Sequence, residues 1–328
     1  MSHGLVSVVL PTYNRGRTLR RAINSVLSQT YRNLELIVVD DGSSDDTPDI
    51  IDSIKDPRLT YVRLPANKGV SHARNTGMAH AKGDLIAFQD SDDEWLLDKL
   101  ERLLAALLTA GATSEAICAF HTKVMYVSSE NDVGHENLVF CIPKLPARVD
   151  QAYLTQEIMK FNLISTQTLM LTRSARDLVG GFDEQLANNE DWDFAISLIT
   201  KCKAVFLDAP LVIAYLQSDS VSHLTRKGAR SQLRIVQKMS RRPGVDQRVI
   251  AKHYAAIGWW LCKLGNPRSG YRLIRRSLAL HPTAKAAVQL GASLALTTRE
   301  RITGHRSKFS ASSLTVRSSD RKLAVKRA

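Results

Sequence analysis

The chain has 328 residues, 44% of them hydrophobic, enough for one large or two small domains that fold without disulfide staples. Its four cysteines, Cys118, Cys141, Cys202 and Cys262, lie far apart with no CxxC pair, which argues against a zinc module or a disulfide framework and fits a reducing cytosol. The net charge of +13 hides an asymmetry: residues 226–328 carry 24 Lys and Arg against Asp246, Glu300 and Asp320, while residues 1–225 carry 21 basic and 29 acidic side chains. A boundary near residue 225 follows, with a domain over 1–225, a basic helical region over 226–298 and a disordered basic tail over 299–328. The N-terminus lacks the order of an export signal, and no apolar run approaches the ~18 residues of a membrane span, so a cytoplasmic protein is expected.

In chain order, Leu5 to Leu10 is a short apolar run ended by Pro11, as expected of a buried parallel strand. Leu19, Ala22, Ile23, Val26 and Leu27 then recur at helical spacing, and Leu34 to Val39 forms a second strand running into Asp40-Asp41-Gly42-Ser43-Ser44. A helix is announced near Thr47 to Ile54 by Ser/Asp caps and Pro48. Leu59 to Leu64 reads as the third strand, Val70 to Ala81 as a helix bearing His72, Arg74 and Asn75, and Leu85 to Gln89 as the fourth strand, which delivers Asp90-Ser91-Asp92-Asp93. In an open α/β sheet ligands bind beyond the carboxyl ends of the strands, so these polar, largely acidic clusters describe one crevice. Further on, Leu96 to Leu108 is a helix and Ile117 to Val127 a strand. Residues 128–165 are aperiodic loops with room for one helix, of the kind that shape a second-substrate site. Thr168 to Leu171 reads as a strand, Val179 to Asp183 as a tight turn, and a helix opens at Asn189-Glu190-Asp191-Trp192 before the strand Ala204 to Tyr215.

Carboxylates as close as Asp90, Asp92 and Asp93 repel one another, so they face water, share a hard divalent cation or, for one of them, cap the next helix. Asp40-Asp41-Gly42-Ser43 has a plain alternative as a strand-ending turn, Arg74 as a solvated helix-face arginine, and Asp191 as a helix cap.

Val8 to Asn14, Val39 to Ser43, Asn67-Lys68-Gly69 with Ala73-Arg74-Asn75, Asp90 to Asp93, Gly180 to Asp183 and Glu190-Asp191 occur in the order seen in family 2 glycosyltransferases, which the chain resembles over roughly residues 5–220. The resemblance implies a GT-A-like α/β fold, Rossmann-related, with a mainly parallel sheet flanked by helices, and inverting transfer from a nucleotide-sugar donor. On that footing Asp41 accepts a hydrogen bond from the donor base, usually uracil, and Pro11, Tyr13 and Asp40 line the same pocket, while Arg74 lies near the diphosphate. Asp92 binds a divalent metal, manganese or magnesium, and Asp90 lies at the ribose or metal edge, leaving Asp93 to cap the helix. Asp191 is the catalytic base, Glu190 orients the acceptor, and Trp192 stacks on a sugar ring or packs as core. One departure is visible: Tyr215-Leu216-Gln217-Ser218 stands where many relatives carry Tyr-Arg-x-His, and His223 is a possible substitute. No Arg-Trp dipeptide is present, so processive synthesis is not expected.

In the C-terminal region Trp260, Leu264-Gly265, Tyr271 and Pro282 echo one tetratricopeptide-like helix pair, with Arg272, Arg275 and Arg276 on an exposed face. An anionic membrane surface met by 226–328 is the expected partner, placing the protein peripherally at the inner face of the membrane; nucleic acid is disfavoured because the basic residues lack aromatic interleaving. The expected activity is thus a metal-dependent, non-processive transfer from a UDP-sugar to a glycan or lipid-linked acceptor in surface-polysaccharide or glycolipid assembly. The alternatives are a nucleotidyltransferase and a non-catalytic nucleotide-sugar-binding module.

Overall fold

The computed structural model describes residues 4–111, 115–127, 138–146, 149–215 and 225–303. Along the chain these form β1 (Val6–Thr12), α1 (Gly16–Leu27), β2 (Leu34–Asp40), α2 (Thr47–Asp52), β3 (Leu59–Arg63), α3 (Val70–His80), β4 (Leu85–Phe88), β5 (Glu94–Trp95), α4 (Lys99–Thr109), β6 (Ile117–Val127), β7 (Leu138–Ile142) and α5 (Gln151–Ile158). After a short 3-10 helix, Thr166–Thr168, come β8 (Leu169–Thr172), α6 (Arg173–Val179), α7 (Glu190–Lys201), β9 (Lys203–Tyr215), α8 (Arg226–Ser240), α9 (Gln247–Lys263), α10 (Pro267–Leu280) and α11 (Ala284–Thr303).

The strands join in the order β3-β2-β1-β4-β8-β6-β9-β5, with β7 on β6. The first four are mutually parallel and right next to one another, as βαβ connections require. Beyond them β8 runs antiparallel to β4 and to β6, while β9 returns parallel to β6. Alternation along β1 decides both faces. Val6, Val8 and Leu10 join Leu19, Ile23 and Val26 of α1 and Leu100, Leu103 and Leu107 of α4 in one core. Val9 faces the other way, toward α3, where Gly77 leaves no room for a Cβ against Val9 and Val39. Burying each such Val or Leu contributes about 1.5–3 kcal/mol.

The structure corrects several boundaries. Pro11 does not end the first strand: it lies buried inside β1, opposite Val39, where the pairing with β4 has already stopped at Val9. Its missing N–H therefore interrupts no ladder. The helix expected from Leu96 starts at Lys99, because Glu94 and Trp95 are drawn into a short antiparallel pairing with Ile213 and Val212. The stretch 128–165 holds β7 as well as α5, and α6 was not foreseen.

The chain divides into two compact units, Met1–His223 with Arg230–Val245, and Leu224–Ala229 with Asp246–Ala328. The boundary expected at residue 225 therefore misassigns Arg230–Val245. In the first unit Lys238 Nζ lies 2.7 Å from both Asp183 and Asp193, Arg234 Nε lies 2.8 Å from Asp183, and Arg242 bonds Thr200. The second unit contains the expected helix pair: Gly258 of α9 and Gly270 of α10 pack so closely that a Cβ on either would strike the other's backbone. Ile274, Cys262 and Ala286 of α11 form its core. Arg272, Arg275 and Arg276 are exposed, as expected, and α11 continues past residue 298 to Thr303. The rest of the tail assigned to 299–328 lies outside the described residues, as does His223. Among the described residues no helix is long and apolar enough to cross a membrane.

Candidate active site

The carboxyl ends of β1 and β2 are laced together. Asn14, in the left-handed region at φ 51°, donates its N–H to Ser43 Oγ (2.9 Å) and accepts at Oδ1 from Ser44 N (2.9 Å). Asp40 is fully buried, with Oδ1 accepting from Ser43 N and Oδ2 from the Tyr61 hydroxyl, each at 2.8 Å. Asp41 is buried too, and its two oxygens accept from Lys68 N and Gly69 N, both at 2.8 Å. The loop Asn67-Lys68-Gly69 can wrap that carboxylate because Gly69 adopts φ 94°, which a side chain would resist. Asp40 and Asp41 thus build the strand-end platform; Asp41 retains a further lone pair on each oxygen for a ligand. Pro11 is buried beneath this platform, whereas Tyr13 is 45% exposed beside it.

The Asp90–Asp93 loop is clamped through its carbonyls. Thr18 Oγ1 donates to Ser91 O (2.9 Å), Arg21 Nη2 to Asp92 O (2.6 Å) and Gln89 Nε2 to Asp93 O (2.9 Å). Asp93 is not the helix cap assigned to it. The residue preceding α4 is Asp98, and Asp93 is buried, accepting from Gln167 Nε2 (2.7 Å) and Tyr215 N (3.2 Å). Burial, then the negative charges of Asp90 and Asp92, push its carboxyl up to about 8. Asp90 and Asp92 are half-buried at the rim.

Arg74 joins this loop to the start of α7. Only 5% exposed, it donates from Nη2 to Asp90 Oδ1 (2.9 Å) and from Nη1 to Glu190 Oε1 (2.7 Å), with its guanidinium 5.3 Å from the Phe182 ring centre. Phe182 in turn stacks on Phe194 and meets Phe88 edge-on. Asn75 fixes Phe182 by bonding both its N–H and its carbonyl. The arginine expected beside a diphosphate is therefore held between two carboxylates, and it brings together residues 16 and 116 positions away.

Asp191 lies in the first turn of α7, where the helix N-terminus favours negative charge. Its Oδ1 accepts from Trp192 N (2.8 Å) and its Oδ2 from Asn162 Nδ2 (2.9 Å). Burial, then the neighbouring charge of Glu190, pushes its carboxyl up to about 6, against the opposing pull of Arg74. Such a group accepts a proton near neutral pH. Trp192 does not offer a stacking surface: it is 4% exposed and its indole N–H donates to Ile158 O at 2.7 Å, so the core alternative is the correct one. Asn162, Thr18 and Arg21 were missed, since an aperiodic loop and the polar face of a helix carry no signal for them.

Among the described residues no three His, Cys, Asp or Glu side chains converge as a metal cage. Two half-buried aspartates on a clamped loop do suit magnesium or manganese, which are commonly held by one or two carboxylates with substrate phosphates and water completing the shell.

The profile of glycosyl transferase family 2 matches residues 7–143. WfaP of Escherichia coli, a UDP-Glc:alpha-D-GlcNAc-diphosphoundecaprenol beta-1,3-glucosyltransferase, is 47% identical over 197 residues, covering 60% of this chain and 71% of that one. Among solved structures, TarS of S. aureus in complex with UDP-GlcNAc superposes with a TM-score of 0.62 at 19% identity, covering 92% of both chains. The mannosyltransferase PcManGT from Pyrobaculum calidifontis, in complex with GDP-Man and Mn2+, gives 0.56 at 20% identity over 92% of this chain and 83% of that one. These neighbours show the fold, a GT-A-like α/β arrangement; WfaP, with the family match, carries the conclusion that this chain belongs to glycosyl transferase family 2 and is a glycosyltransferase.

Proposed function

We propose that the chain transfers one hexose from a UDP-sugar to a hydroxyl of a lipid-diphosphate-linked sugar, with inversion and in the presence of a divalent metal. The observation that carries this reading is Arg74, which holds Asp90 and Glu190 on one guanidinium and so puts the donor-side loop next to Asp191. In this reading the donor base meets Tyr13, Asp41 and the platform built on Asp40. Asp92 and Asp90 would hold the metal, whose chemistry when bound is to neutralise charge developing on the diphosphate. Asp191 takes the proton of the acceptor hydroxyl as its oxygen bonds to the anomeric carbon from the face opposite the leaving group. Glu190 and Arg74 keep the local charge balanced. Membership of the family sets aside the nucleotidyltransferase and the non-catalytic module.

WfaP's named donor and acceptor supply the first assay: UDP-glucose, a short-chain α-GlcNAc-diphospholipid and MnCl2, with UDP release and the product's anomeric NMR coupling as readouts. A β-linked product from the α-linked donor supports inversion. Retention of the α configuration, or transfer undiminished in both Asp92→Ala and Asp191→Asn, would sink the mechanism.

Arg272, Arg275 and Arg276, exposed on α10, support the further reading that the second unit meets an anionic membrane surface. Co-sedimentation with phosphatidylglycerol vesicles should drop when all three are replaced by alanine in the full chain; equal binding would end that idea.

A further inference from the structure

The loop between α5 and the 3-10 helix, Met159 to Ser165, is stapled twice to the first turn of α7. Where α5 hands over to it, the Trp192 indole bonds Ile158 O, the carbonyl of that helix's last residue, and further on Asn162 Nδ2 bonds Asp191 Oδ2. The Asn162 amide has one orientation here, because its Oδ1 accepts from Ile164 N at 3.1 Å and leaves only the NH2 for the carboxylate. Between the staples sits Phe161, 50% exposed. Among the described residues just two aromatic side chains are exposed to this degree: Tyr13 at the donor-side strand ends, and Phe161, one residue from the amide that holds Asp191. Leu163 and Ile164 are buried, so the loop is anchored from below and Phe161 stays at the surface with its anchor in place.

We propose that Phe161 and Asn162 form the acceptor subsite, with Phe161 a platform for the C–H face of the acceptor's pyranose ring and Asn162 a positioning residue that holds Asp191 Oδ2 for the attacking hydroxyl. The inference rests on Asp191 being the proton acceptor. The negative face of an aromatic ring attracts the weakly positive C–H groups of a sugar, and a half-exposed Phe gains by being covered. Asn162 leaves each oxygen of Asp191 a lone pair while fixing the carboxylate plane, and its N–H stabilises the deprotonated form.

Two measurements on the full chain test this. In saturation-transfer NMR with methyl N-acetyl-α-glucosaminide, UDP and MnCl2, ring protons should receive saturation from the wild type, and the signal should fall at least fivefold in Phe161→Ala and return in Phe161→Trp. No transfer in the wild type, or equal transfer in Phe161→Ala, overturns the platform. In carbon NMR of the Asp191 carboxyl, Asn162→Ala should move its titration to higher pH and Asn162→Ser should restore part of the shift; an unmoved titration overturns the positioning role. Asp191→Asn separates the two readings. Retained transfer in that variant removes the proton-acceptor reading, whereas an inactive Asp191→Asn beside unaltered Phe161→Ala and Asn162→Ala removes the subsite alone.

Discussion

In the proposed mechanism an ionised Asp191 deprotonates the acceptor hydroxyl, and the structure holds that carboxyl at about 6 where an ordinary aspartate has 3.8. The difference amounts to about 3 kcal/mol against the charged form. Below pH ~6, kcat/KM should therefore fall about tenfold for each pH step, and the acid limb should report this group. Its neighbours let the assignment be checked by sign. Glu190→Gln removes the repelling charge and should move the limb to lower pH, whereas Arg74→Met removes the attracting charge and should move it higher. Because stripping one partner from a buried ion pair costs about 3–5 kcal/mol, the Arg74→Met protein should also melt earlier, and rates must be taken below its transition. Arg74→Lys, which keeps the charge and loses the two-pronged geometry, should leave the limb nearly in place while lowering the plateau. Initial rates at subsaturating donor between pH 4.5 and 8 give the limbs directly. A wild-type profile flat to pH 4.5, or limbs of Glu190→Gln and Arg74→Met shifted the same way, refutes the reasoning.

Asp92→Ala should lose metal-dependent turnover while keeping the wild-type circular dichroism spectrum, and chelation of the wild type should do the same reversibly. Asp41→Asn replaces one of the two oxygens that accept from Lys68 and Gly69 with an NH2, so donor KM should rise roughly tenfold or more, as expected for losing a charge-assisted bond of ~1.5–3 kcal/mol; an unchanged KM counts against the platform. For Asp183, burial acts upward but bonds from Lys238, Gln185 N and Arg234 overcome it and bring the carboxyl to about 2. A depressed carboxylate adds stability that is present above its ordinary 3.8 and lost as pH falls through about 2. The full conversion is ~2 kcal/mol, reduced to about 1 because the Lys238 and Arg234 side chains are 36% and 43% exposed. Thermal unfolding should show Asp183→Asn less stable by that amount at pH 7, with the difference vanishing below pH ~2.

The strand–helix alternation through β4 was legible because buried parallel strands read as apolar runs and their ends carry polar punctuation. The acidic clusters could be assigned to one crevice for the same reason. What the chain order does not show is contact between residues far apart: nothing in Ala73-Arg74-Asn75 announces that its guanidinium is divided between Asp90 and Glu190. Charge counting failed in a specific way at Arg234 and Lys238. They look like part of a basic extension, yet they neutralise Asp183 and Asp193, and composition cannot distinguish a solvated cation from a paired one. Asp93 was misjudged because an aspartate before a leucine-rich stretch resembles a cap, while the pairing of Glu94 and Trp95 with β9 delays the helix and takes that carboxylate inside.

In the proposed mechanism the guanidinium that Arg74 divides between Asp90 and Glu190 couples the two substrates. A donor complex that draws Asp90 toward another cation leaves more of the Arg74 charge to Glu190, and that changes the field in which Asp191 meets an acceptor. The two halves of the substrate set are then thermodynamically linked, and linkage is reciprocal: whatever factor UDP-sugar lends to acceptor affinity, the acceptor must lend back to UDP-sugar.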